Sequence, residues 1–498
     1  MSHQDRMSEC VTNHQTIKQV VDRILPARLF ASMKVRKGST WKPRMLAVAA
    51  LLWGGGEAST LDERFSLGRR IVNKVFRWQA AVGETYQGFL KVLHNWHSTL
   101  RSAVTNSLRT LMQQGLPDSW QIGGFTVFAV DGSRVELART ESNEAAFSPS
   151  KKRKKKQQHP KEKSKSDAAQ KRGLLRQKRR RLKQAEQAKQ EHEKLASAEA
   201  AAKKASSPQL WLTLIWHIGS GLPWAWRTGP SDSSERDHLK EMLAELPLHS
   251  LITADAGFVG FAFLLALLTA QHHFLVRIGG NVKLLKNLGY AREHAQTVYL
   301  WPNEAAKKLQ PPLVLRLITI HDGKHTMYLL TNLTKTQLSD SLAAKIYARR
   351  WGIELFFRTF KQTFERRKML SHAGKNCPLE LDWSLLALWA VCLLGRQELE
   401  KSGQEGHRLS PAKAIQAFRK CVREYRVRPE TSGDGLLAKL RDALLDGYTR
   451  TSSKTSRNYP RQKKRERVGP PTITRATQPQ ILQAKELKMQ SPEIQLTA

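Results

Sequence analysis

The stretch Tyr347-Ala-Arg-Arg-Trp-Gly-Ile-Glu-Leu-Phe-Phe-Arg-Thr-Phe-Lys361 places Tyr347, Arg350, Glu354 and Lys361 at offsets 0, 3, 7 and 14. At about 100° per residue, a helix gathers those four side chains on a stripe roughly 60° wide, with Arg358 beside them. Ile346, Ile353, Phe356, Phe357, Phe360 and Phe364 fall on the other side, as the apolar face of a helix laid on a sheet does. Arg349 falls at the boundary between the faces, where its stem covers apolar surface. The fold must therefore bury one face of this helix and leave a carboxylate among cations and a phenol on the other. That grouping suits a metal and a phosphate.

The formal net charge is +40 and the sequence pI is about 10.4, which points to a polyanionic partner. Nucleic acid is favoured over a membrane surface. The apolar runs Leu46–Trp53, Phe261–Ala270 and Trp383–Gly395 fall short of the roughly 18 residues a spanning helix needs. The polar start Met1-Ser-His-Gln-Asp is no secretory signal, so a soluble, intracellular protein without a membrane partner is expected. Cys10, Cys377, Cys392 and Cys421 follow no CxxC or Cys/His spacing, which argues against a disulfide framework and a zinc site. The histidines show no repeated ligand spacing either.

Residues 1–120 read as a helical N-terminal domain, with helical periodicity in Thr16–Leu29 and Tyr86–Met112. Ser59–Phe76 reads as amphipathic helix, with a turn near Gly68 that would give two short helices, one of them basic. Residues 121–400 read as an α/β core. Phe125–Asp131 is a β-rich run stopping at an aspartate, and Leu251–Asp255 is a second. Between them lie a hairpin, Trp211–Ile218 with Pro223–Arg227, and a helix, Glu235–Leu246. After them come a helix over 260–269, the strand Phe274–Ile278 and a β-rich insertion over 282–340. Lys151–Lys204, inside a basic insert spanning 151–206, holds 21 basic and 6 acidic residues and a net +15; its first half reads as disordered, and its second, Arg172–Lys204, suits a long solvated helix or a hairpin. Residues 401–498 read as a helical region ending in a flexible basic tail from Thr449.

Side chains at the carboxyl ends of neighbouring strands converge at one sheet edge, the usual place for a site in an α/β domain. Asp131 and Asp255 are both expected there, and the helix bearing Glu354 brings a third carboxylate. Such a cluster repels itself unless it binds hard divalent cations. Two such ions about 4 Å apart would serve an in-line phosphoryl displacement. Asp131 alone would be an ordinary Asp-Gly turn former. Glu136 and Glu365 lack a spacing argument and read as surface charges.

These residues resemble the DDE insertion-sequence transposases of the insertion sequence four type. The signature of that family is Tyr, two residues, Arg, three residues, Glu, six residues, Lys, and Tyr347, Arg350, Glu354 and Lys361 match it throughout. Val130-Asp131-Gly132, Ala254-Asp255-Ala256-Gly257-Phe258 and the β-rich insertion extend the likeness over roughly 120–400. It implies an RNase H-like core using Mg²⁺, two ions with Mn²⁺ as a substitute, to hydrolyse a phosphodiester at each transposon end. The freed 3′-hydroxyls are then joined to target DNA.

Carried over, Asp131, Asp255 and Glu354 hold the metals, and Tyr347, Arg350 and Lys361 contact phosphates near the cleavage site. Trp351, bordering that face, is expected to stack on or support a displaced base. The partners implied are double-stranded DNA, as terminal inverted repeats and target, and a second copy of the chain during synapsis. The setting is a bacterial cytoplasm, close to the nucleoid. The Arg-Gly-Tyr common after the second aspartate is replaced by Ala256-Gly257-Phe258, so no role passes to an arginine or tyrosine there. Two other readings share the fold: a DNA-binding protein that does not cleave, and a nuclease that cleaves without strand transfer.

Overall fold

A computed structural model describes residues 17–149, 208–322, 325–427, 440 and 469–490. The basic insert and the Arg457–Arg467 stretch of the tail lie outside the described residues, as does Cys10. Four helices come first: α1 (Ile17–Ile24), α2 (Pro43–Gly55), α3 (Leu61–Val75) and α4 (Tyr86–Gly115). Ser59–Phe76 does not turn at Gly68: α3 runs straight through it, capped by Thr60. Gly68 is instead a contact point. A Cβ there would meet Leu52 Cβ at 3.3 Å and the Ala49 carbonyl at 3.5 Å, so the missing side chain lets α3 lie close on α2.

The centre is one ten-stranded sheet in the order β10-β6-β7-β8-β9-β5-β4-β1-β2-β3. β1 (Val127–Glu136) pairs antiparallel with β2 (Gln209–His217), which pairs antiparallel with β3 (Leu222–Gly229). On its other side β1 runs parallel to β4 (Leu251–Ala254), and β4 parallel to β5 (His273–Ile278). Phe128-Ala-Val130 and Leu251–Ala254 are fully buried, the unbroken apolar run that a strand covered on both faces requires. The expected β insertion does not stand apart. β6 (Lys283–Lys286), β7 (Thr297–Leu300), β8 (Leu313–Asp322) and β9 (His325–Thr331) continue the same sheet, with β9 antiparallel to β5.

The tail reading needs a correction for its described part. Thr472–Arg475 forms β10, parallel to β6, and Gln478–Gln490 forms a helix whose Ala484 and Leu487 enter a small core with Tyr299 and Trp301. Backbone pairing supplies what this exposed four-residue strand lacks in apolar side chains.

The remaining elements are α5 (Glu141–Phe147), α6 (Glu235–Met242), α7 (Phe261–Thr269), α8 (Asn303–Lys307), α9 (Asp340–Arg349), α10 (Gly352–Arg358), α11 (Asn376–Lys401), α12 (Pro411–Val427) and α13 (Gln478–Gln490). One buried core runs from α1 through the sheet to α12. Its axis is α11, buried on nearly every face and packed on α2, α4 and α12. Among the described residues α11 alone is long and apolar enough to cross a membrane, and 94% of its most apolar stretch is buried in the protein. Arg366, 1% exposed, ties the chain beyond α10 to this layer: its guanidinium donates to Gly54 O (2.8 Å), Gly56 O (2.6 Å) and Phe364 O (3.1 Å). Gly54 and Gly56 lie at the end of α2, where carbonyls lack helical partners, and Ser384 Oγ also donates to Gly54 O at 3.2 Å.

Candidate active site

β1 does not stop at Asp131, as its Asp-Gly pair suggested. It runs on to Glu136, with Asp131 opposite Leu214 and Gly132 opposite Thr213 on β2. On the β4 side the last register pair is Ala129 with Thr253, so two residues further along Asp131 and Asp255 stand side by side. β4 ends there because Asp255 turns to cap a short helical turn, its Oδ1 accepting from Gly257 N at 2.8 Å. Asp131 Oδ1 accepts from Gly132 N at 2.9 Å.

Glu354 arrives in the first turn of α10, which packs on β1. Its Oε1 accepts from Arg350 Nη2 at 3.1 Å, and the Arg350 guanidinium lies 5.6 Å over the Tyr347 ring. The buried Tyr347 hydroxyl donates to Ala254 O at 3.4 Å, one residue before Asp255. Burial pushes the Asp131 carboxyl up to about 6, and Asp255 and Glu354 push the same way, while Arg350 and the Gly132 amide oppose them. Burial works against charge on Arg350 too, yet Tyr347, Asp131 and Glu354 together hold its proton more firmly than usual. Five of the seven residues named from the sequence thus act on one another here: Asp131, Asp255, Glu354, Tyr347 and Arg350.

The other two are placed differently. The helix predicted through 346–364 is not uniform. Arg350 N bonds Tyr347 O and Ile353 N bonds Arg350 O, two tight three-residue steps between α9 and α10. Beyond Arg358 the chain forms a π turn over Thr359–Thr363, with Phe364 N on Thr359 O at 2.8 Å. Lys361 lands two residues along β1 from Asp131, its Nζ donating to Ser133 Oγ at 2.7 Å, where burial lowers its affinity for a proton. Trp351, 49% exposed, sits at the joint between α9 and α10. Arg358 leaves the stripe altogether and lines a separate groove with Arg349 and Arg396. Glu136 and Glu365 pair with Arg367 and Arg419.

Sequence reading missed Glu235, in the first turn of α6. A Cβ on residue 132 would lie 2.1 Å from Glu235 Oε1, so the glycine of the Asp-Gly pair makes room for this carboxylate. Burial, then Asp131 and Asp255, push Glu235 up to about 7. Gly132 was the only local hint, since no spacing links residues a hundred positions apart.

The donor set is all carboxylate oxygen, the chemistry of a hard divalent ion, and its crowding is the electrostatic problem such an ion relieves. Among the described residues no three acidic, histidine or cysteine side chains yet stand close enough to ligate one ion. Glu354 is turned to Arg350, whose guanidinium supplies the positive charge between Glu354 and Asp131.

The sequence pattern described as "Transposase DDE domain" matches residues 123–389. A curated relative, transposase InsG for insertion sequence element IS4 of Escherichia coli (strain K12), is 26% identical over 195 residues, 37% of this chain and 42% of that protein's length. Among solved structures, a piggyBac transposase synaptic complex with hairpin DNA aligns at 10% identity with a TM-score of 0.36, covering 89% of this chain and 86% of that one, a likeness too loose to bear on the argument. The matched span covers more than half of the sequence and contains Asp131, Asp255 and Glu354, and the chain belongs to the transposase DDE domain family.

Proposed function

We propose that this protein is a cut-and-paste transposase of an insertion sequence. It hydrolyses a phosphodiester at each terminal inverted repeat and joins the freed 3′-hydroxyls to target DNA. The observation that carries the reading is the convergence of Asp131, Asp255 and Glu354 from β1, the end of β4 and α10 on one half-buried, mutually repelling centre. We assign β3-β2-β1-β4-β5 as an RNase H-like core and the strands beyond β5 as its insertion. The helices before residue 120 would recognise the element's ends, and synapsis would bring two copies together.

Asp131, Asp255 and Glu354 would hold divalent metal, Mg²⁺ or Mn²⁺, which activates the attacking oxygen and stabilises the leaving one. Arg350 has two states in this scheme. Without a cation it neutralises Glu354; with DNA bound it turns to a phosphate and frees the carboxylate. Tyr347, fixed to Ala254 O, orients Arg350 through the ring beneath it. Lys361, held on Ser133, waits for a phosphate further along the strand. Trp351 offers an exposed ring for a displaced base, and Trp351→Ala should slow steps that need an unpaired end.

The test is a duplex carrying the inverted repeat that flanks the gene, labelled at the end and incubated with Mg²⁺ and a second DNA. Cleavage at the repeat followed by joining is expected. Cleavage without joining would mean a nuclease, and tight salt-sensitive binding without cleavage would mean a DNA-binding protein.

A further inference from the structure

A cleft of about 610 Å³ opens between the turn entering β7, the start of β8 and the loop from β9 to α9. It stands apart from the acids. Ala254 pairs with Val276, which puts Asp255 level with Arg277 near the end of β5, whereas Asn332, on the cleft, accepts from Phe274 N at 3.1 Å near the start of that strand.

Arg292, His294, Arg316 and Lys335 line the cleft, and among the described residues no carboxylate does. The groove holding Arg349, Arg358 and Arg396 is different, since Asp118, Glu400 and Glu405 line it as well. The acids beside the cleft are engaged. Glu293, between Arg292 and His294, accepts from Gly289 N at 2.8 Å and from the Tyr299 hydroxyl at 2.9 Å. Asp340 accepts from Arg316 Nη1 and from Gln296 Nε2, each at 3.2 Å. The cations at the rim are not: Arg292, His294 and Lys335 are exposed, and their side chains make no ion pair or hydrogen bond among the described residues.

Arg316 forms the floor. It is 8% exposed, with Nη1 on Asp340 and Nη2 on Leu338 O at 2.5 Å, yet its Nε–H is buried without a partner. A buried donor left over in this way costs free energy until an acceptor reaches it. Cations at the rim, a planar arginine below and the Thr334 and Thr336 hydroxyls between them suit a tetrahedral oxyanion. The volume lies within the roughly 300–1,000 Å³ of sites that hold more than a bare ion, so the oxyanion can carry a sugar.

Resting on the DNA-acting reading above but not on cleavage, we propose that this cleft holds a backbone phosphate of DNA, at a contact set apart from the catalytic acids. Arg292 and Lys335 neutralise the phosphate, and Arg316 donates to it from the floor.

The experiment follows a labelled duplex of arbitrary sequence binding to the full-length protein without divalent metal, by fluorescence anisotropy over a series of KCl concentrations. Arg292→Gln combined with Lys335→Gln, at two exposed positions, should melt as the wild type does. The slope of log K against log [KCl] should nonetheless become shallower by about two, because each cation that no longer meets a phosphate releases one counterion fewer. Arg316→Lys keeps the charge but loses the planar fork, and should weaken binding about 10-fold without that change of slope. Inorganic phosphate, at equal ionic strength, should shift the melting temperatures of the wild type and the double variant alike. An unchanged slope in the double variant, or unchanged affinity in Arg316→Lys, would overturn the proposal. A phosphate-induced rise in melting temperature confined to the wild type, with duplex binding unaltered in the double variant, would overturn DNA as the occupant in favour of free phosphate. Absence of salt-sensitive duplex binding by the wild type would instead overturn the DNA-acting reading itself.

Discussion

Two regions of this protein draw carboxylates out of water, one fully and one by half, and they treat them in opposite ways. On α11, Asp382 is 6% exposed and has every oxygen met: Oδ2 accepts from His97 at 3.0 Å and faces Arg101 Nε at 3.2 Å, and Oδ1 accepts from Trp226 Nε1 at 2.6 Å. Burial alone would raise its proton affinity, yet Arg101, His97 and Trp226 together hold it below the ordinary carboxylate range. Glu380, 1% exposed, accepts from Ser371 N at 2.9 Å and Ser371 Oγ at 2.7 Å. At the β1–β4 edge, Asp131 faces other carboxylates, with Arg350 as the cation acting on it, and its proton affinity is raised. A buried acid that is fully paired is part of the scaffold. A half-buried acid left among acids, with one arginine shared between two of them, marks a candidate site.

The comparison can be broken most forcefully at Asp382. Asp382→Ala should lose about 3–5 kcal/mol of unfolding free energy in urea, because Arg101 and the Trp226 indole would be buried without their partner. Asp131→Ala should lose far less, since it removes a repulsion. A similar loss at both positions would erase the distinction.

His217 gives a basic counterpart on the scaffold side. It is fully buried, bonded to Ser220 and to Trp120 O, and burial pushes it down from 6.5 to about 4. The unfolded chain takes up the proton first as pH falls. Stability is therefore complete above pH 6.5 and declines toward pH 4, by roughly 3 kcal/mol for a shift of this size. The slope should be smaller in His217→Gln, as read from urea midpoints at several pH values.

Smaller effects sharpen the picture of how the site is held. Gly54→Ala would put a carbon 2.4 Å from the backbone of Trp383, where α2 crosses α11, and should cost about 1–3 kcal/mol in melting experiments. Ser234→Ala, which removes the oxygen accepting from Asp237 N at 3.3 Å, should cost about 1 kcal/mol.

Much of this centre was legible because its parts have local signatures. The buried strands before Asp131 and Asp255 read as apolar runs, and Tyr347, Arg350 and Glu354 are near enough in sequence for helical spacing to survive the joint at Trp351. A helical wheel assumes uniform rotation, whereas the tight steps at Arg350 and Ile353 come before Arg358 and the π turn at Thr359–Thr363 comes before Lys361, so the wheel does not carry through to either residue. Glu235 was invisible since its closeness to Gly132 is made only by α6 packing beside β1. β10 was read as flexible tail because its side chains are exposed and only backbone pairing with β6 fixes it. Local periodicity shows which face of an element is buried; which faces meet across the fold lies in the tertiary packing.

The most direct measurement pairs DNA cleavage with thermal melting for Asp131→Asn, Glu354→Gln and Asp382→Asn, each in Mg²⁺ on the inverted-repeat duplex. The two site variants should lose cleavage by about 10³-fold or more while melting no lower than the wild type, and Asp382→Asn should melt lower while the folded fraction still cuts. Site variants that cut normally, or that lose activity only in step with their stability, would contradict the assignment of Asp131 and Glu354 to the chemistry.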